Sequence, residues 1–239
     1  MTTAARWRVR LHRALAPALI DKVQRDHHQP DGEFRRRRLV VAVVLVIGAA
    51  LLGLSLSVQP GAASFYPLTL SVALVWVVGG LLSGPLHLGQ IPFRGTLRRP
   101  VVTPILMGLV AGLIFVGGAL VVRQIPPLKE YVDSVLAHAT EGSLPLVAIV
   151  TLVNGVAEEV FFRGGLFAAI GRRQPVVIST VVYAIATIAT LNPMLVFAAL
   201  VLGLVLGLQR RASGGILGPV LTHITWSSTM LFVLPPLFA

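Results

Sequence analysis

The sequence predicts an all-α, polytopic transmembrane bundle of about seven helices, with the N-terminus in the cytoplasm. Two observations predict this class. Of 239 residues, 55% are hydrophobic and only 12% are charged, and the mean hydropathy is +0.84. A soluble domain carries about twice that charged fraction. Because backbone groups in hydrocarbon must be satisfied within their own segment, the apolar runs are expected to be helices rather than open strands.

Seven apolar segments come close to the roughly 20 residues that a membrane span requires. They cover residues 39–58, 65–84, 101–122, 143–168, 175–191, 194–208 and 214–236. Joints that contain Pro and Gly separate them, and LNP at 191–193 makes the fifth and sixth segments a tight pair. Between the third and fourth segments, the stretch LKEYVDSVLAHA is expected to form a short surface helix.

The distribution of positive charge predicts the orientation. The net charge is +11, and 10 of the 20 Lys and Arg residues lie within residues 1–38. Basic residues beside a first span hold that end in the cytoplasm. With this orientation only Arg123 and Lys129 fall in outer loops, and Arg163 lies inside a span. The basic segment is therefore interpreted as a topology signal that can also rest on anionic lipid, and no nucleic-acid partner is expected.

The chain divides into three predicted regions. Residues 1–38 form a basic cytoplasmic segment, 39–142 hold three membrane helices with their loops, and 143–239 form a four-helix core. The chain has no cysteine, which excludes disulfides, thiolate metal sites and cysteine nucleophiles. Small-residue pairs at Gly108/Gly112 and at Gly203/Gly207 predict close helix contacts.

Four ionisable residues remain at membrane depth, namely Glu158, Glu159, Arg163 and His223. Such residues are costly in a bilayer and usually mark function. Glu159 and Arg163 have the i, i+4 spacing of a salt bridge, which a purely structural role also explains. Glu158 lies about 100° away from Glu159 around the helix, so the salt bridge does not account for it. Asn154, four residues earlier, is a possible hydrogen-bond partner of Glu158.

The last span and the fifth span add polar candidates. His223 and Ser227 are four residues apart and face one way, although a lone buried histidine is often structural. Thr180, Tyr183 and Thr187 belong to a polar stripe on the fifth span. Threonines in membrane helices often bond back to their own backbone, so this stripe suits a structural role equally well.

These residue types favour hydrolysis of an acyl bond within or near the membrane. A carboxylate in an apolar pocket suits a general base, and nearby histidine and hydroxyl groups can stabilise an oxyanion. A Ser–His–Asp triad is not supported, because the core has no Asp and no serine lies in a nucleophile turn. The HExxH pattern of zinc proteases is absent as well.

The pattern Glu158-Glu159-x-x-x-Arg163, followed by GGLF, resembles the first motif of the CAAX prenyl-protease and bacteriocin-processing family of intramembrane proteases. The resemblance continues through residues 143–236. Tyr183 to Thr187 occupies the place of an aromatic-x-x-x-His motif, RRASGG matches an R-x-S/T-G-G/S joint, and His223 to Ser227 matches His-x-x-x-Asn/Asp. The chain is thus similar to a divergent member of that family, and the first three spans carry no such resemblance.

This resemblance implies a helical bundle whose cavity is lined by the motifs. It implies Glu158 as the general base, Glu159 with Arg163 as its support, and His223 as an oxyanion donor. Two departures are Thr187, in place of the second-motif histidine, and Ser227, in place of the last-motif asparagine. Ser227 keeps a hydrogen-bond donor, whereas Thr187 cannot replace an imidazole, although it can orient water. Zinc is possible by family analogy, but two carboxylates and one histidine are a weak ligand set.

Three functional hypotheses follow. The first is an endopeptidase of the plasma membrane, multi-pass in the bilayer, that cleaves a membrane-associated protein or peptide. The second is a catalytically inactive relative that acts as a membrane scaffold or regulator. The third is a transporter with the glutamates as ion sites, which the short chain and the lack of an internal repeat disfavour.

Overall fold

The computed structural model describes residues 12, 15–25 and 27–239. The basic residues Arg6, Arg8, Arg10 and Arg13 lie outside this part of the chain. Residues 15–19 are helical. The elements that follow are α1 (Asp31–Ser57), α2 (Phe65–Leu82), β1 (Ile91–Phe93), β2 (Thr96–Arg98), α3 (Val102–Val122), α4 (Pro126–Thr140), α5 (Leu144–Glu158), a π-helical segment (Glu159–Leu166), α6 (Phe167–Ile170), α7 (Pro175–Ile188), α8 (Pro193–Ser213) and α9 (Leu217–Phe238).

The predicted helical membrane bundle is confirmed. Six helices among the described residues are long and apolar enough to cross a membrane, and α5, the π-helical segment and α6 together form one of them, Leu144–Ile170. The fifth predicted span corresponds to the shorter apolar helix α7, which has 14 residues. At about 1.5 Å per residue this helix is shorter than the roughly 30 Å hydrocarbon core, so the count of seven remains a prediction, as does the orientation.

Helix boundaries differ from the predicted ones where local signals act. The first helix begins at Asp31, eight residues before the predicted start, and Asp31 and Glu33 supply acidic residues for its first turn. Helix α7 ends at Ile188, three residues early, because Leu191 adopts φ 55° and Asn192 caps the next helix. The side chain of Asn192 accepts hydrogen bonds from the amides of Met194 and Leu195.

A short hairpin in the loop after α2 was not predicted. Strand β1 pairs with β2 in antiparallel register, with Pro92 opposite Leu97. The two turn residues, Arg94 and Gly95, both have positive φ, at 47° and 77°. Positive φ at both central positions is typical of the two-residue turns that match strand twist.

Glycines allow the close helix contacts that the sequence predicted. A Cβ at Gly108 would lie 2.7 Å from the carbonyl oxygen of Thr222, and one at Gly112 would lie 2.8 Å from Thr229 Cγ2, so α3 packs closely on α9. Gly207 faces Val176 in the same way where α8 packs on α7. The buried aromatic core around Trp76, Phe161 and Phe162 lies where α1, α2, the π-helical segment, α7 and α8 meet.

Candidate active site

The helix that carries Glu158, Glu159 and Arg163 changes its winding at this point. It is α-helical up to Glu158, π-helical from Glu159 to Leu166, and α-helical again from Phe167. A π-helix uses i→i+5 hydrogen bonds, is rare, and occurs frequently at functional sites. Gly165 allows this wider segment to pack against α2, since a Cβ there would lie 3.0 Å from Ser83 Oγ and 3.5 Å from Gly80 Cα.

Glu159 lies at the centre of a buried ionic network. Its side chain is 0% exposed, and Arg163 Nη1 donates to its Oε1 at 3.0 Å, which confirms the predicted i, i+4 ion pair. His223 Nδ1 lies 2.8 Å from the same oxygen and donates to it from the last helix. The network therefore joins the π-helical segment to α9, and the contact leaves Nε2 as the free nitrogen of the imidazole for other partners.

Glu158 has a different partner. The hydroxyl of Tyr183 on α7 donates to its Oε2 at 2.5 Å. The same tyrosine ring lies under the guanidinium of Arg163, with 4.8 Å from Cζ to the ring centroid. Gly203 on α8 lets this pair pack tightly, because a Cβ there would lie 3.3 Å from Arg163 Nη2 and 3.4 Å from Tyr183 Cδ1. Tyr183 thus contacts Glu158 directly and is linked to Glu159 through Arg163.

A cavity of about 730 Å³ lies beside these residues. Its walls come from seven helices, α1 to α5, α8 and α9, and are mostly apolar, with aromatic residues such as Phe115, Phe197 and Trp226. Three of the predicted site residues line it, namely Glu158, His223 and Ser227. Glu159 and Arg163 lie behind this wall. From the predicted site residues, the cavity therefore receives one carboxylate, one imidazole and one hydroxyl in a mainly apolar space.

Thr187, the remaining predicted site residue, is buried and bonded to its own helix. Its hydroxyl donates to the carbonyl oxygen of Tyr183 at 2.9 Å, and it is not among the described residues that line the cavity. A second histidine, His138 on α4, does line the cavity. Both of its ring nitrogens face backbone carbonyl oxygens, those of Ser134 and Val58, each at 3.2 Å.

The expected contact between Asn154 and Glu158 is wrong. The Asn154 amide nitrogen instead donates to the carbonyl oxygens of Val150, at 2.9 Å, and Thr69, at 3.1 Å. The bond to Thr69 links α5 to α2, and a partner 85 positions away could not be read from spacing along one helix. Tyr183 is the site residue that the sequence analysis did not single out, although it was part of the polar stripe and of the second motif.

The donor set at this site does not suit a metal ion. Among the described residues, no group of three or more His, Asp or Glu side chains is arranged to hold one. Glu159 and His223 are bonded to each other, and Glu158 is bonded to Tyr183. Zinc sites usually take at least three protein ligands, so no step of the chemistry below is assigned to a metal.

Comparison with known proteins shows what the C-terminal part of the chain is similar to. Residues 140–229 match the family model for type II CAAX prenyl endopeptidases, described as Rce1-like. The C-terminal part of the chain is therefore similar to the CAAX prenyl-protease and bacteriocin-processing family. Residues 1–139 lie outside the match. No curated protein and no solved structure matches the chain.

The motifs that carry this similarity occupy distinct positions in the bundle. The first motif lies on α5 and the π-helical segment, the second on α7, and the last on α9. The first and last motifs reach the cavity, and the second contributes Tyr183 through its bond to Glu158. The Ser-Gly-Gly joint between α8 and α9 lies away from the cavity wall and belongs to a different region of the protein.

Proposed function

We propose that this protein is an intramembrane endopeptidase in which Glu158 activates a water molecule to hydrolyse a peptide bond of a membrane-associated protein or peptide. The observation that carries the proposal is the position of the Glu158 carboxylate, which lines a large apolar cavity beside His223 and Ser227. A structural ion pair does not need a second carboxylate in such a place. The membrane is proposed to be a bacterial plasma membrane.

The first step is addition of water to the scissile carbonyl carbon. Tyr183 occupies Oε2 of Glu158, which leaves Oε1 to accept a proton from the water. The water oxygen forms a bond to the carbonyl carbon while its proton moves to Glu158, and the carbonyl oxygen becomes an oxyanion. A positioned carboxylate in a mainly apolar cavity is suited to this transfer.

The oxyanion needs hydrogen-bond donors on the opposite side of the carbon. Protonated His223 donates from Nε2, since Nδ1 is held by Glu159, and Ser227 donates from its hydroxyl one helical turn further along α9. Glu159 orients the imidazole and stabilises its positive charge, and Arg163 balances the charge of Glu159. Collapse of the oxyanion breaks the C–N bond, and the leaving amine takes the proton from Glu158.

An inactive relative is the second candidate, and Thr187 favours it. At this position the family motif has a histidine, and the hydroxyl of Thr187 is bonded to the Tyr183 carbonyl. In this reading the Glu159–Arg163–His223 network holds the bundle together, and the protein acts as a membrane scaffold. The two candidates differ in whether Glu158 is needed for turnover.

The deciding experiment compares wild type with Glu158→Gln in a host strain that lacks the protein. Peptide termini in membrane and secreted fractions are identified by mass spectrometry, with equal expression verified by blot. Glu141→Gln is the matched control, because it makes the same chemical change at an exposed residue outside the cavity wall. Termini that are present with wild type and Glu141→Gln but absent with Glu158→Gln support the peptidase. Identical termini in all three strains support the scaffold.

A further inference from the structure

A second pocket, of about 440 Å³, lies at the other end of the bundle. We call it the basic pocket. Its wall includes Gln24, Arg25, His87, Gln90, Arg99 and Ser213. These residues come from the segment before α1, the loop after α2 and the Ser-Gly-Gly joint between α8 and α9, none of which contributes to the large cavity. The proposed peptidase chemistry makes no use of this pocket.

The basic pocket is built from three segments that are tied together by their backbones. The amides of Ile216 and Leu217 donate to the carbonyl oxygens of His87 and Leu88, and the amide of Gln90 donates to Ser213. Glycine makes this contact possible, because a Cβ at Gly89 would lie 2.6 Å from the nitrogen of Gly215. The pocket is thus preformed by the fold and does not depend on a loop closing.

Positive charge surrounds the pocket, and no carboxylate from the described part of the chain matches it. No Asp or Glu belongs to its wall within the described residues. Arg25 Nη1 donates to the carbonyl oxygen of Arg211 at 2.9 Å, and Arg99 Nη1 donates to that of Gly89 at 2.8 Å. These carbonyl contacts orient the two guanidinium groups, and no carboxylate of a described residue pairs with either of them.

Two further arginines lie buried behind the wall. Arg37 is 1% exposed and Arg210 is 5% exposed. Arg37 Nη2 donates to Pro85 and Arg210 Nε donates to Arg163, again to carbonyl oxygens. Neither takes part in an ion pair with a described residue, and the nearest acidic influence on Arg37 is Glu33, one turn earlier on α1.

The positive charges of these arginines affect the pKa of His87. Partial burial lowers the pKa of His87, and the positive charges of Arg210, Arg37 and Arg25 lower it further. The imidazole of His87 stacks on that of His27, with 3.7 Å between the ring centroids and 8° between the planes. Buried cations without anionic partners are unfavourable, so this region gains stability from any anion that enters it.

We propose that the basic pocket binds a phosphate group, with Arg25, Arg99 and His87 as contacting residues and Arg37 and Arg210 contributing charge from behind. Guanidinium groups match phosphate oxygens in geometry as well as in charge. Basic pockets at the ends of membrane helices are also where anionic lipid headgroups bind. The phosphate can therefore come from a lipid headgroup or from solution, and the pocket is large enough for either.

The test measures thermal unfolding of the full chain in neutral detergent. Three probes are titrated: a short-chain phosphatidylglycerol, a short-chain phosphatidylcholine and inorganic phosphate. A ligand that binds only the folded protein raises the unfolding temperature in a saturable way. A response to phosphatidylglycerol alone identifies an anionic lipid site, and an equal response to inorganic phosphate identifies a free-anion site. Both results support the proposal. The proposal is overturned if neither phosphatidylglycerol nor inorganic phosphate gives a saturable response.

Variants assign the binding to the pocket. Arg99→Gln and Arg25→Gln are each expected to weaken the affinity for the active probe about tenfold, the effect of losing one charge-assisted hydrogen bond. Arg98→Gln is the matched control, because it removes the same charge from the adjacent exposed residue, whose Nε contacts Thr96 Oγ1. Equal losses in Arg98→Gln and Arg99→Gln would show a general charge effect and refute the site. This readout is independent of peptidase activity, so the two proposals can fail separately.

Discussion

Glu158 and Glu159 are consecutive in the chain, yet their carboxylates have different surroundings. Glu159 is fully buried and accepts from Arg163 and His223, whereas Glu158 lines the cavity and accepts from Tyr183. The i, i+4 spacing of Glu159 and Arg163 gives Glu159 a partner of opposite charge within the apolar bundle. The second carboxylate has no such structural explanation. Substitutions at the two residues should therefore affect different properties.

Breaking the buried ion pair should destabilise the protein. Glu159→Gln and Arg163→Met are each expected to lower the free energy of unfolding by about 3–5 kcal/mol, because the first leaves buried Arg163 without a carboxylate and the second leaves Glu159 with His223 alone. The double variant should lose clearly less than the sum of the two, since it leaves neither charge. Chemical or thermal unfolding in detergent, followed by circular dichroism, measures this coupling.

The surface pair Lys129–Asp133 is the matched control for that cycle. It has the same i, i+4 spacing, but its side chains are 39% and 40% exposed. An exposed pair is expected to contribute at most about 1 kcal/mol. A coupling energy for Glu159 and Arg163 as small as that of the control would contradict the central role given to the buried network.

Tyr183→Phe should slow peptide hydrolysis while leaving the fold intact. The change removes only the hydroxyl that donates to Glu158, and a hydrogen bond to a charged group is worth about 1.5–3 kcal/mol. We expect the turnover rate to fall at least about tenfold, measured on a substrate identified by the terminus comparison. Tyr66→Phe is the control, because its hydroxyl accepts from the Ser143 amide outside the cavity wall. Equal rates in both variants would show that Tyr183 does not act through Glu158.

Ser227→Ala tests the proposed oxyanion donor. Loss of one such donor is expected to lower kcat about a hundredfold and to change KM little, because the bond forms mainly in the transition state. Ser228→Ala is the neighbouring control, since the hydroxyl of Ser228 donates back to the Ile224 carbonyl at 2.7 Å. A change in KM with an unchanged kcat for Ser227→Ala would assign this serine to substrate binding instead.

Hydropathy predicted the bundle well because membrane helices satisfy their backbones locally. The apolar runs at 65–84 and 101–122 became α2 and α3 with shifts of at most two residues. Glycine pairs such as Gly108 and Gly112 correctly indicated close packing for a similar local reason. A residue without a side chain allows a neighbouring helix to approach at its own position. The ion pair of Glu159 and Arg163 was predictable because both residues belong to one helix.

Features that depend on packing between distant segments were not predictable. The π-helical winding from Glu159 has no distinct sequence pattern and shows only in the folded bundle. The bond from Tyr183 to Glu158 joins residues 25 positions apart, and the bond from Asn154 to Thr69 joins residues 85 positions apart. The basic pocket was not predicted for the same reason, because its arginines come from four separate segments of the chain.

Asn192 should control access to the large cavity. Helix α4 forms one wall of the cavity, and the Asn192 amide nitrogen ties it to α8 by donating to the Tyr131 carbonyl oxygen at 2.7 Å. The oxygen of the same side chain caps α8. Asn192→Asp keeps the cap but loses the donor, so it should loosen α4 without destabilising α8, whereas Asn192→Ala should also cost about 1 kcal/mol of stability.

A single introduced cysteine reports this loosening, because the chain has none of its own. Thr151→Cys places a thiol on the cavity wall, and its maleimide labelling rate measures how often the cavity opens. Loss of one hydrogen bond of about 1 kcal/mol should raise that rate about fivefold in both Asn192 variants. A cysteine introduced instead at the exposed hairpin residue Thr96 should be labelled at the same rate with and without the Asn192 substitutions. Unchanged labelling of Thr151→Cys in both variants would show that α4 does not gate the cavity. The hydrogen bond from Asn192 to Tyr131 would then be lost without any change in access to the cavity.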